Sequence, residues 1–236
     1  MKPICIVLTT WERESITCRM IEALKQNTQT PYKLIIIDNG SEPWYQKDYL
    51  KESDIYVKLD KNYGLEYAKH IGMQFVDSEL FVSTDNDIFP YKYEQDWLSQ
   101  LVDLMAKYPE YGAISLRPQV LVGTGNIFHE HEDEEVLEFT HVPGYLRIMK
   151  TDVVNKLGAW GDKRPLRGHE EYWISEKMRD VGLKVGWAVN VRCHHYFGGD
   201  NWGYGAMPVE EHGHTPVQLP GDDLEELEKR VGIRWD

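Results

Sequence analysis

Residues 81–90 read FVSTDNDIFP, Phe81 to Pro90. An apolar entry gives way to Thr84, then to Asp85-Asn86-Asp87, and then to apolar residues again. Two carboxylates one residue apart stand where a buried strand ends. An unpaired buried carboxylate costs several kcal/mol, so a compensating group has to face them.

Upstream, Ile4–Leu8 is an apolar run rich in β-branched residues that ends at Thr9-Thr10, the pattern of a buried strand. Ser15–Lys25 carries Ile16, Met20, Ile21 and Leu24 on one helical face. Lys33–Ile37 is a second strand, stopped by the turn-forming Asp38-Asn39-Gly40-Ser41, and Ile55–Leu59 is a third. Tyr63–Val76 is a helix whose Gly64, Ala68 and Gly72 recur at steps of four, letting it approach a neighbour closely. Leu80–Ser83 is the strand that runs into the aspartates. This alternation predicts an α/β fold, a mostly parallel sheet with helices on both faces. Ligands of such sheets bind beyond the carboxyl ends of the strands. Thr9-Thr10, Asp38-Asn39 and Asp85-Asn86-Asp87 all lie at such ends and converge on one rim.

The second half is less regular. Asp96–Lys107 reads as a helix, Ala113–Leu116 as a strand, and the acidic run His129–Glu138 as a loop. Tyr145–Met149 is a strand and Thr151–Leu157 a short helix with Thr151 or Asp152 near its N-cap. Glu171–Val181 is a helix ended by Gly182. Val185–Val191 is a strand leading into Cys193-His194-His195. The tail from Asn201 is rich in Gly and Pro and closes with a charged helix, Asp222–Val231. The expected organisation is one domain over residues 1–200, divided into halves at 1–90 and 91–200, with an extension over 201–236.

Composition narrows the class. The chain has 236 residues, 42% of them hydrophobic, and a formal net charge of -13. That balance disfavours a bulk nucleic-acid or anionic-lipid partner. Three cysteines without metal-type spacing read as reduced thiols. The opening apolar run is too short for a signal segment or a membrane span. A cytoplasmic protein is expected.

Each polar cluster has a chemical and a plain structural reading. Asp85 and Asp87 suit a hard cation, Mg²⁺ or Mn²⁺, bridging carboxylates to phosphates, or else form an Asp-Asn turn. Asp38 suits a base or ribose of a nucleotide, or an Asx-turn into Asn39-Gly40. His194 or His195 is able to complete a metal's ligand set, one more favourable to Mn²⁺. Glu170-Glu171 at a helix start is favoured by the dipole, or serves as a general base.

These pieces, in this order, resemble the family 2 glycosyltransferases with a GT-A fold. The resemblance rests on IVLTTWER (Ile6–Arg13), IIIDNGS (Ile35–Ser41), KNYGLEYAKHIG (Lys61–Gly72) and STDNDIF (Ser83–Phe89), the last in the place of that family's Asp-x-Asp metal motif. It continues through HEEYWISEKMRDVGLKV (His169–Val185) and VRCHHYFGG (Val191–Gly199), covering roughly residues 4–200. Glu171 stands where the family has a catalytic Asp, one methylene longer, and His169 stands where it has a glycine.

The resemblance implies an activated sugar, most often a UDP-sugar, held with Mn²⁺ or Mg²⁺, and transfer with inversion to a hydroxyl on a glycan, a protein or a small molecule. The implied metal ligands are Asp85, Asp87 and one of His194 and His195. The implied nucleotide-facing set is Thr9, Thr10, Trp11, Glu12, Asp38, Asn39, Lys61, Asn62, Asp85 and Asn86. Glu171, beside Glu170, is the implied base. On the acceptor side stand Trp202, on a glycine-rich stretch with the freedom of a lid, Trp173 and His169. Two rivals are a sugar nucleotidyltransferase, which the glycine-free TTWERES after the first strand disfavours, and a non-catalytic nucleotide- or glycan-binding protein, which would need no base.

Overall fold

The apolar run that opens the chain is buried along its whole length and forms β1 (Ile4–Thr10). The computed structural model describes residues 2–41, 51–118, 131–158, 160, 170–196 and 231–233. Within them β1 is followed by α1 (Glu14–Asn27), β2 (Tyr32–Asp38), β3 (Ile55–Lys58), α2 (Leu65–Met73) and β4 (Leu80–Asp85). Then come β5 (Ile88–Pro90), α3 (Trp97–Lys107), β6 (Tyr111–Pro118), β7 (Val136–Glu138), β8 (Arg147–Lys150), α4 (Thr151–Lys156), α5 (Glu170–Asp180) and β9 (Lys184–His195).

All pair into one sheet of order β3-β2-β1-β4-β8-β6-β9-β5, with β7 on β9. The half built from the first 85 residues is parallel throughout, β1 pairing β2 and β4, and β2 pairing β3. The strand β8 runs against both β4 and β6, and β9 is parallel to β6. Alternate strand residues feed two cores, one per face. Ile4, Ile6 and Leu8 of β1 pack with Met20 and Leu24 of α1 and with Trp97 and Leu101 of α3. Cys5 and Val7 pack on the other face with Ala68 of α2 and with Ile174 and Met178 of α5. The expected α/β architecture is therefore present, a large mostly parallel sheet covered by helices.

The helix with small residues at steps of four does approach the sheet closely. A Cβ placed on Gly72 would stand 2.3 Å from Val7 Cγ1. The α3 start is capped by Asp96, whose Oδ1 accepts from the backbone N–H groups of Leu98 and Ser99, filling two donors that a helix start leaves open. At the far end of the chain Val231 and Ile233 are buried among the α1 and α3 residues. Asn27 Nδ2 donates to the carbonyls of both Pro90 and Val231, each at 2.9 Å.

Two local expectations need correction. The acidic run is not all loop, since Val136–Glu138 pairs with β9 through Val136 and Leu137, which are buried. His194 and His195 do not follow a strand; they are its last two residues, because β9 is twelve residues long and its end pairs with the three-residue β5. The α4 start has Lys150 as its N-cap, without a side-chain bond, and Thr151 and Asp152 beside it as the first two helical residues. Among the described residues no helix is long and apolar enough to cross a membrane. All three cysteines are free thiols.

Candidate active site at the strand ends

The parallel register brings the polar ends of β1, β2 and β4 side by side, with Thr10 opposite Asp38 and Thr9 opposite Asp85. At the β2 end Asp38 is fully buried. Its Oδ1 accepts from Ser41 N and Oγ at 2.9 and 2.6 Å, and its Oδ2 from Tyr56 Oη at 2.9 Å. Asn39 donates to Asn62 Oδ1 and Gly64 O, and accepts from Tyr63 N. Asn62 Oδ1 also accepts from Gly64 N. These bonds tie the β2 end to the start of α2. Gly40 makes the tie possible, with φ of +80° and a would-be Cβ only 2.2 Å from the Lys61 carbonyl carbon. Lys61 itself is exposed, its Nζ 4.9 Å above the Tyr63 ring. Thr9 is buried, and its Oγ1 has no hydrogen-bond partner among the described residues.

The two aspartates do not leave one strand on one side. The strand β4 ends at Asp85, and a turn through Asn86-Asp87 leads into β5. Each carboxylate meets its own cation. Asp87 Oδ2 lies 2.8 Å from Arg13 Nη1 and 3.7 Å from His195 Nε2. Burial raises the Asp87 carboxyl pKa, but His195 and Arg13 outweigh it and hold the group at about 2. Asp85 is half-buried, and its Oδ1, shielded from solvent, pairs with Lys69 Nζ at 3.2 Å without an aligned hydrogen bond from any of the described residues. Burial, partly offset by Lys69 and reinforced by the negative charge of Glu170, pushes the Asp85 carboxyl upward. Asn86, between them, donates to Thr10 Oγ1 and Thr17 Oγ1 at 3.1 and 2.8 Å.

Glu170 opens α5 and is 3% exposed. Lys69 Nζ lies 2.5 Å from its Oε1, while Arg147 Nη2 and Trp160 Nε1 donate to its Oε2 at 2.9 and 2.8 Å. Burial opposes ionisation here, but Arg147 and Lys69 prevail and hold this carboxyl at about 2. A carboxylate so fully engaged is poorly suited to accept a further proton, so of the glutamate pair Glu170 is the structural member. Glu171 is only half-buried, and burial together with the Glu170 charge raises its pKa, the direction that strengthens a general base. Gly144 lets the chain pass over this cluster; a Cβ there would meet Lys69 Nζ at 2.9 Å.

Adjacent residues of a strand face opposite ways, and it is His195 that faces Asp87, while His194 is 3% exposed and pairs in register with Phe89. The Tyr145 ring lies 4.8 Å from the His195 ring. Burial raises the Tyr145 hydroxyl pKa, and Cys193, Asp87, Asp85 and Glu171 all add to the rise. Tyr145 thus borders the site on the His195 side.

A divalent ion fits these residues. Two carboxylates and an imidazole nitrogen beside Asp87 are donor types that suit Mn²⁺ or Mg²⁺. Among the described residues no three His, Cys, Asp or Glu side chains close on one point, so these residues would form a full ligand set only with further oxygen donors.

A family model described as glycosyl transferase family 2 matches residues 5–167. The chain belongs to this family. The match takes in β1 through β8 and so includes the aspartate turn, Lys69 and Arg147. No curated protein matches the chain. Among solved structures this glycosyltransferase is similar to GalNAc-T7 crystallised with UDP, GalNAc and Mn²⁺, at 16% identity and a TM-score of 0.68 over 85% of this chain and 45% of that one. It is similar also to the mannosyltransferase PcManGT of Pyrobaculum calidifontis in complex with GDP-Man and Mn²⁺, at 16% identity and a TM-score of 0.66 over 81% of this chain and 56% of that one. A third is TarS of S. aureus, residues 1–349, at 12% identity and a TM-score of 0.60, covering 82% and 60% respectively. At such identities the likeness shows the GT-A fold. This glycosyltransferase spans between about half and three fifths of the length of those chains.

For the family 2 glycosyltransferase the residue set read from sequence is partly assembled. Asp87 and His195 lie 3.7 Å apart and Asp85 ends the strand before them, paired with Lys69, whereas Asp38, Asn39, Asn62, Thr10 and Asn86 are engaged in hydrogen bonds within the chain. Trp11 is half-buried and Glu12 exposed, its N–H donating to Ser41 Oγ at 2.7 Å. Trp173 is half-buried and packs against the α2–α5 core. His169 and Trp202 lie outside the described residues. Arg13, Lys69, Arg147 and Tyr145 were not foreseen. One signal existed for Lys69: at steps of four it stands between Leu65 and Met73, next to the small-residue stripe, and a buried lysine requires a partner.

Proposed function

We propose that this glycosyltransferase moves a sugar from a nucleoside-diphosphate sugar, a uridine donor foremost, to an acceptor hydroxyl, with inversion and in the presence of Mn²⁺ or Mg²⁺. The observation that carries the reading is the placing of Asp85 and Asp87 at the end of β4, with His195 Nε2 3.7 Å from Asp87 Oδ2. The structures with UDP and with GDP-Man support a nucleotide donor.

Asp85, Asp87 and His195 would hold the ion. When bound, it supplies neutralisation of the charge that collects on the departing diphosphate. Glu171 takes the proton of the acceptor hydroxyl as that oxygen forms its bond to the anomeric carbon. The bond from that carbon to the diphosphate oxygen breaks on the opposite face, and the electron pair leaves with the diphosphate. Glu170 stays ionised and holds Lys69 and Arg147 in place. A half-buried base with a raised pKa is better matched to the operating pH than an exposed one.

The test is a panel of UDP- and GDP-sugars assayed for Mn²⁺-dependent hydrolysis and transfer. Slow turnover of one donor without acceptor is expected, and Asp87→Ala should abolish it. Glu171→Gln should lower transfer by about 10²–10⁴-fold while nucleotide binding persists. Turnover in Glu171→Gln equal to that of the natural chain would refute the base. Binding of nucleotide with hydrolysis of no donor would favour a binding module.

A further inference from the structure

The β1–α1 turn grips the aspartate motif from one side. Arg13, the N-cap residue of α1, and Glu12 before it both hold left-handed backbone angles, φ of 60° and 55°. Such angles are uncommon for residues other than glycine. Here Ser41 Oγ accepts from Glu12 N at 2.7 Å, and Arg13 O accepts from both Thr17 N and Thr17 Oγ1 at 3.1 Å. The result is a guanidinium with little freedom, its side chain 16% exposed, delivered to Asp87 Oδ2 at 2.8 Å. The same Thr17 hydroxyl, with that of Thr10, receives the Asn86 amide. Two consecutive residues of the turn are thus fixed by one loop.

The oxygen that Arg13 engages is the one that lies 3.7 Å from His195 Nε2. A carboxylate oxygen has two lone-pair directions, so a guanidinium on one leaves the other free to face the imidazole. We propose that Arg13 is a positioning residue of the cation site, its guanidinium holding Asp87 turned toward His195, and that Thr17 is its support. This rests on the proposed role of Asp87 and His195 as cation ligands. Arginine suits the task better than lysine, because its planar fork fixes orientation as well as charge, and partners that orient a ligating group change metal affinity by about 10–100-fold when removed.

The test measures Mn²⁺ affinity from the electron paramagnetic resonance of free Mn²⁺, with and without UDP, in the natural chain, Asp87→Asn, Arg13→Gln, Arg13→Lys and Thr17→Val. Thermal unfolding verifies that each is folded. Arg13→Gln should weaken Mn²⁺ binding by about 10–100-fold, Arg13→Lys should recover only part, and Thr17→Val should weaken it several-fold. Unchanged or tighter binding in Arg13→Gln overturns the proposal and makes Arg13 a competing counter-ion, as does full recovery in Arg13→Lys. Should Arg13→Gln fail to fold, unchanged affinity in Thr17→Val overturns it. Mn²⁺ binding that is absent from the natural chain, or that survives Asp87→Asn, sinks the cation-site reading itself. Failure confined to the Arg13 and Thr17 variants leaves that reading standing.

Discussion

Three buried donors meet on the two oxygens of Glu170, and the energy of that arrangement is concentrated in one charge. Glu170→Gln keeps the shape but leaves Lys69 and Arg147 short of an anion in a dry site. Breaking a buried ion pair in this way costs about 3–5 kcal/mol, which equilibrium denaturation in urea would read as a lower midpoint at similar slope. Replacing Glu171 should leave that midpoint within about 0.5 kcal/mol, since a half-buried group away from such features contributes little to stability. The pair therefore separates stability from activity. Glu170 and Asp87 also predict a pH dependence. Their carboxyls titrate at about 2 in the folded chain, against roughly 4 when unfolded. Their stabilisation is complete above about pH 5 and is lost as pH falls toward 2. Asp85 and Glu171, shifted upward, oppose this trend in part. Thermal midpoints that stay level from pH 6 to pH 3 would contradict it.

Among the elements, α2 is held by contact distance. The missing Cβ of Gly72 is what allows Val7 to sit against it, so Gly72→Val should overpack the α2–β1 seam and cost about 1–3 kcal/mol. Because α2 carries Lys69, the same change should also loosen the ion contact at Asp85. A Gly72→Val protein with an unshifted melting temperature would show that the seam gives way freely. This element was legible in the sequence, as were β1, α1, β2 and β4, because each carries a buried period over enough residues to be read. The strands β5 and β7, three residues each, carry no period, and β7 hides two apolar residues behind an acidic run. The end of β9 was read short although Asn190 and Arg192 alternate with Val191 and Cys193 as in a half-buried strand; the polar pair His194-His195 looked like a strand end, and its pairing with β5 is long-range. The cations that answer the aspartates come from α1, α2 and β9. Only the parallel register brings those elements together, and no local pattern records it.

At the scale of the molecule, one sheet carries two cores, and the site lies where the parallel half meets β8, β5 and β9. Asp85 and Lys69 belong to the first half, Arg147 and Glu170 to the second, and one buried cluster spans both. Most of the site's ligand-facing candidates were visible beforehand because they end strands. The charges that hold them were not, because they are long-range partners. Val231 and Ile233 extend this logic to the far end of the chain. They are buried in the same core cluster as the apolar residues of α1 and α3, and the Val231 carbonyl takes one of the two hydrogen bonds of the Asn27 amide. A version of the protein shortened at residue 200 would forfeit this plug and leave the Asn27 amide with one carbonyl fewer. Emptying two apolar positions costs about 2–5 kcal/mol each, so the shortened form should melt well below the full chain, and its fragility would come from a missing stopper and not from any damage to the strand ends.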